Sequence, residues 1–205
     1  MARPRKDDGG PSACERLRSA FWTLLADEAQ HDITVRALTS AAHVNHNTFY
    51  YHYDNVDALA RDAVVEAFPR ELMALVVRGL VEGRLDIASL ASADAMTQRY
   101  AYMRAAARHG SPQLLVFVRD MVLENLLARL GVARDELTPD DVARVDFLWG
   151  GILALVGSEH LDSFEKYGHV IGSGVSDAAH ALVMRIAAEH DLAVQVGETP
   201  PAPAC

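Results

Sequence analysis

Residues 33–59 read ITVRALTSAAHVNHNTFYYHYDNVDAL, and this stretch decides the fold. Val35, Leu38, Thr39 and Ala42 recur at the three- and four-residue spacing of one helix face, and a second short piece over 48–53 follows after only a few residues at 44–47. That layout predicts two short helices joined by a tight turn. Thr34 and Asn45 stand where each side chain can accept a bond from an orphan backbone N–H at the start of a helix. Ala41 and Ala42 are small where two helices must cross closely, while Leu38, Val44 and Phe49 offer apolar contacts. Once Val44 and Phe49 face inward, helical geometry turns His46, Asn47, Thr48, Tyr50, Tyr51 and His52 to other faces. A short helix so dense in exposed aromatic and hydrogen-bonding groups calls for a partner.

Working outward, Leu17, Ala20, Phe21, Leu24 and Leu25 mark a helix before the stretch, and Val56, Leu59, Ala60, Ala63, Val64 and Ala67 mark one after it. Pro69 is expected to break the chain near a domain junction. Helices are predicted around Ala93, Met96, Tyr100, Met103 and Ala107, and from Pro112 to Gly131. A polar connection over 133–141 leads to an apolar stripe of Val145, Leu148, Trp149, Ile152, Leu155 and Val156, and Val175 to Ile186 carry another. The glycine-rich stretch 168–174 between them reads as a loop. The expectation is an all-α protein. Residues 1–12 are expected to form a flexible basic arm, 13–60 a three-helix helix-turn-helix domain, 61–195 a helical ligand-binding and dimerisation domain, and 196–205 a disordered tail.

Half of the residues are apolar, enough for a buried core, and the net charge of −9 argues against nonspecific adhesion to nucleic acid. The longest apolar stretch, 147–156, falls well short of the roughly 20 residues that span a bilayer. Arg3, Arg5 and Lys6 are followed by Asp7, Asp8, Gly9 and Gly10 where an export signal needs an apolar segment, so a cytoplasmic protein is expected. Cys14 and Cys205 read as free thiols. His43, His46 and His52 lack a matching Cys or carboxylate set for a metal. Gly168, Gly172 and Gly174 are in the wrong order for a dinucleotide loop, and the scattered histidines form no catalytic motif. No cofactor and no catalysis are expected.

In a helix-turn-helix the second helix enters the DNA major groove, where Asn and Thr can bond base edges, while tyrosine hydroxyls and His52 suit phosphate oxygens. At these residues the sequence resembles the TetR family of bacterial repressors. Thr34, Leu38 with Ala42, Val44, Asn45, Thr48, Phe49 with Tyr50, His52 and Tyr53, and Asn55 leading to Leu59 follow the family's N-terminal pattern in order. The match covers about a quarter of the chain. The resemblance implies that Thr34, Arg36, Asn45, His46, Asn47, Thr48, Tyr50, Tyr51 and His52 occupy DNA-contacting positions. Three departures stand out: His43 where the family usually has glycine, no basic residue near His46, and Val56 where a lysine touches phosphate. Residues 1–68 hold seven Lys or Arg against ten Asp or Glu, a balance of −3. That balance predicts weak nonspecific binding and a shallow salt dependence, unless the arm with Arg3, Arg5 and Lys6 reaches a minor groove.

The resemblance further implies a homodimer on a palindromic operator of double-stranded DNA, released by a small apolar effector. Met96, Tyr100, Met103, Phe117, Met121 and Trp149 are core residues by default, and some of them are expected to line the effector pocket. Gly151 and Leu155, with Ala179, Leu182, Val183 and Ile186, are expected at a four-helix dimer interface. The alternatives are a diverged member without DNA affinity that acts through dimerisation or protein contacts, and, less favoured, a helical enzyme acting on a small apolar substrate.

Overall fold

In the computed structural model, which describes residues 10–85 and 92–190, ten α-helices carry the described chain and no strand occurs among those residues. The first is α1, Ala13–Leu25, started by Ser12, whose Oγ accepts from the Glu15 N–H while Glu15 Oε2 accepts from the Ser12 N–H at 2.6 Å. Its buried face is Leu17, Ala20, Phe21, Trp22 and Leu25. Across it pack α2, Val35–Ala41, and α3, His46–His52, followed by α4, Val56–Ala67. Phe49 is completely enclosed and Val44 packs partly buried on the same core, as their spacing predicts.

α4 runs on to Ala67, so the expected division at residue 60 falls inside a helix. The break comes at Pro69, which also caps the start of α5, Arg70–Glu82, a helix that the sequence reading passed over. Core packing does not stop at the break: one apolar cluster runs from Leu17 and Phe49 through Phe68, Leu72 and Met73 to Ala105 of α6, Ala93–His109, and Leu114 of α7, Pro112–Leu130. Buried Gln30 adds a polar tie, its Nε2 donating to Asp57 Oδ1 at 2.8 Å and its Oε1 accepting from the Ser111 N–H at 2.9 Å. Both ends of that amide are satisfied, which is what makes its burial tolerable.

α8, Pro139–Gly157, begins inside the expected polar connection, because Thr138 and Asp141 cap it reciprocally. α9, Phe164–Val170, and α10, Ser176–Glu189, are joined by one wide π turn, Ile171–Val175. The expected loop at 168–174 is therefore helical. Tyr167 and Ile171 anchor this segment by burial, and Gly174, at φ +128°, supplies a backbone conformation that side-chain-bearing residues rarely adopt. α10 lies on α5 and α8, and Val183, Ile186 and Ala187 join Val77, Val81 and Leu127 in a second core. No helix of the described residues is long and apolar enough to cross a membrane. The expected basic arm, apart from residues 10–12, and the expected tail lie outside the described residues.

Candidate nucleic-acid interface and ligand cavity

The α2–α3 unit is held by its caps. Thr34 Oγ1 accepts from the Ala37 N–H at 3.1 Å, Asn45 Oδ1 accepts from the Thr48 N–H at 2.7 Å, and Asn55 Oδ1 accepts from the Ala58 N–H at 2.8 Å. Asn45 also accepts from the Thr48 hydroxyl at 2.9 Å, so Asn45 and Thr48 build the helix start, with their polar atoms partly used. With Phe49 pinned in the core, Asn47 and Tyr51, one turn apart, fall on the opposite side of α3. Tyr51 is 85% exposed and Tyr50 52%. Thr34, Arg36, Asn45, His46 and His52 are exposed as well, and Thr48 is half-buried. Apart from half-buried Thr48, the nine residues proposed from the sequence are thus exposed, on α2, on α3 and at the caps before them, with His46 against Tyr50 and Tyr51 against His52 at ring separations of 5.0 and 4.9 Å. His43, in the turn, takes φ +52°, the left-handed region that favours glycine.

Of the arginines on α1 and α4, Arg18 is ion-paired within the protomer. Arg18 Nε donates to Asp62 Oδ2 at 2.7 Å, and its Nη1 lies 3.3 Å from Glu66. Tyr53 donates its hydroxyl to the same Asp62 oxygen at 2.5 Å. Burial, and then that bond to Asp62, push the Tyr53 hydroxyl well above the usual tyrosine range. Arg16 donates to the His43 carbonyl, and Arg61 lies over the Phe117 ring. Within residues 34–52, Arg36 is the sole Lys or Arg.

A second site lies among the helices behind this unit. Trp22, Phe68, Met73, Met103, Trp149 and Val183 stand among the walls of a cavity of about 250 Å³. No family model, curated protein or solved structure matches the chain. Both sites therefore rest on their own geometry. Of the six residues expected at a pocket, Met96, Tyr100, Met103, Met121 and Trp149 border this cavity. Phe117 does not: it packs against the first core beneath Arg61, one face of α7 away. Trp22, Arg99 and Tyr167 border the cavity without having been singled out, Trp22 because it belongs to the helix assigned to the other domain. Tyr100 and Tyr167 stack at 4.8 Å, and the Tyr100 hydroxyl donates to the Leu161 carbonyl at 2.5 Å. Burial holds the Tyr167 phenol above the usual range, so it keeps its proton at neutral pH. Arg104 donates to the Val156, Ser158 and Leu161 carbonyls and closes the end of α8.

The expected dimer residues divide. Ala179, Val183 and Ile186 are buried inside the protomer against its own core, so their side chains cannot cover a second copy. Leu155 and Leu182 are half-buried, and Gly151 is exposed. The apolar surface that remains open lies one face round: Phe147, 85% exposed, with Gly150, Gly151 and Ala154 on α8, and Ala178, Ala181 and Met184 on α10. These recur at helical spacing on two packed helices, and neither Gly150 nor Gly151 has a neighbour in van der Waals reach of an added Cβ.

Proposed function

We propose that this chain is a DNA-binding transcriptional regulator of the TetR kind, a cytoplasmic homodimeric repressor released from a palindromic operator by a small apolar molecule. One observation carries the reading: an exposed polar helix face, Asn47 and Tyr51 opposite the buried Phe49, stands in the same chain as an internal apolar cavity. A short helix presented this way suits the major groove, where Asn47 reads base edges and Tyr50, Tyr51 and Arg36 hold phosphates. The dimer forms through the open stripe of α8 and α10, which buries Phe147 and sets the distance between the two α3 helices. Effector binding favours one arrangement of the helices, and its differential affinity for the two states is the whole of the switch.

A second reading has its own support. With Arg18 ion-paired within the protomer and Arg36 the sole Lys or Arg of residues 34–52, few cations serve phosphate at this surface, which favours a dimer that has lost DNA affinity. Fluorescence anisotropy separates the two: the full-length protein is titrated into a labelled fragment from upstream of its own gene and into a scrambled fragment, at low and moderate salt. The regulator binds the first fragment selectively and holds it as salt rises. Absence of selective binding, both there and in a genome-wide selection of bound fragments, leaves the DNA-silent dimer.

A further inference from the structure

The identity of an occupant is decided by the few polar atoms on an otherwise apolar wall. The polar groups on the residues that border the cavity are those of Arg99, Arg119, Tyr100, Tyr167 and Ser176, with the indole N–H groups of Trp22 and Trp149, and no carboxylate of the described residues is among them. Arg99 Nε is turned to the Ala67 carbonyl, which borders a separate polar cleft and not the cavity. Arg119 is paired with Asp120 at 3.0 Å and Asp146 at 2.7 Å. The Tyr100 hydroxyl is bound to Leu161. Two hydroxyls have no hydrogen bond among the described residues: Ser176, half-buried where the π turn enters α10, and Tyr167, 6% exposed and stacked on Tyr100. The Tyr167 phenol thus keeps a free donor on a residue that borders the cavity, available to an occupant.

Size narrows the occupant further. An engineered apolar cavity of about 150 Å³ takes benzene, and pockets for drug-sized ligands begin near roughly 300 Å³. The present volume of about 250 Å³ falls between them. A cation finds no carboxylate on the walls and would lose its hydration without recompense, and of the two arginines Arg119 is neutralised by Asp120 and Asp146 while Arg99 gives its Nε to a carbonyl outside the cavity.

We propose that the cavity binds an uncharged molecule of two-ring size whose single oxygen acceptor takes a hydrogen bond from the Tyr167 hydroxyl, making Tyr167 the specificity-determining residue of the effector site. The inference deepens the effector part of the regulator reading and rests on it for the consequence of binding.

Trp22 and Trp149, the protein's two tryptophans, both border the cavity, so ligand entry is read from their emission. Full-length protein is titrated at neutral pH with tetralone, with tetralin, which has the same rings and no carbonyl, and with naphthoate. Tetralone is expected to bind about three- to tenfold more tightly than tetralin, the worth of one net hydrogen bond, and naphthoate most weakly. Tyr167→Phe removes one oxygen while keeping the ring, and brings tetralone down to the level of tetralin; Ser176→Ala leaves the preference in place. Equal binding of tetralone and tetralin, a preference that survives Tyr167→Phe, tightest binding of naphthoate, or binding of none of the three overturns the proposal. The ranking of the three probes on the unaltered protein stands whether or not a variant folds well. Operator binding is measured on the same preparations. DNA binding without the ranking sinks this ligand class and spares the regulator, while the ranking without DNA binding does the reverse.

Discussion

His43 and Asn47 sit four positions apart and carry opposite kinds of demand. His43 holds φ +52° in the turn between α2 and α3, where a Cβ is strained and only its backbone is used, its N–H donating to the Ser40 carbonyl and its carbonyl accepting from Arg16. Relief of that strain outweighs the extra freedom glycine brings to the unfolded chain, so His43→Gly should stabilise the protein by about 0.5–1 kcal/mol. Urea unfolding checks this, and a lower midpoint in the variant would contradict it. Asn47 instead has nothing to do within the fold: it is exposed, opposite Phe49, and its amide can reach a base edge. Asn47→Ala should cost about 1–3 kcal/mol of operator affinity and leave binding to scrambled DNA and the unfolding midpoint unchanged. Equal loss on both fragments would move Asn47 from base reading to backbone contact.

Among the helices, what the sequence made legible depends on how many apolar faces a helix has. α1 and α4 show one apolar stripe, and α3 has Phe49 as its one completely buried residue, so their inner sides follow from spacing. α8 is apolar nearly all round, with Val145, Phe147, Leu148, Trp149, Ile152, Leu153 and Val156, and periodicity cannot say which of these face the protomer. The same ambiguity in α10 put Ala179, Val183 and Ile186 at an interface that they cannot reach, whereas crossing α5 takes them inward. α5 itself was hidden by Pro69, which ends one helix and begins the next. Phe147→Arg is therefore expected to yield a monomer at micromolar concentration in sedimentation, with operator affinity reduced at least tenfold since two half-sites are no longer linked; an intact dimer would remove the α8–α10 stripe from the interface. The cap of α8 gives a pH effect of definite sign. Burial alone would raise the Asp141 carboxyl, but bonds from the Thr138 hydroxyl and N–H, with Arg144 nearby, hold it below the usual aspartate range. A depressed native value stabilises the fold above the ordinary aspartate range and is lost as pH falls through it, below about pH 4. Asp141→Asn should flatten that acid limb while lowering stability at neutral pH, and an unchanged slope in acid unfolding would exclude this carboxylate as its source.

Trp22 joins the two sites. It belongs to α1, against which α2 and α4 pack, yet it borders the cavity and stacks on Tyr102 of α6 at 4.5 Å with an interplanar angle of 11°. Gln98 donates to the Tyr102 hydroxyl at 2.8 Å and steadies that ring from its own helix. Gln30 meanwhile fixes the chain between α1 and α2 to the start of α7. The first four helices are thus joined to the rest by a polar tie at Gln30, a ring stack at Trp22 and the continuous apolar core from Leu17 to Leu114. On the regulator reading, a ligand in the cavity that moves Trp22 is expected to shift α1, against which α3 packs. Coupling between an effector and DNA commonly amounts to about 5–150-fold in affinity, and linkage requires the same factor whether it is read as ligand weakening DNA or DNA weakening ligand. Tyr102→Ala removes the surface Trp22 leans on without removing a side chain that itself borders the cavity or belongs to α3. Tetralone affinity and operator affinity, each measured alone, should then change less than threefold, while their coupling factor falls toward one in both directions. A coupling factor that survives Tyr102→Ala, with both affinities preserved, would mean that the signal passes through the shared core of α4, α6 and α7 instead.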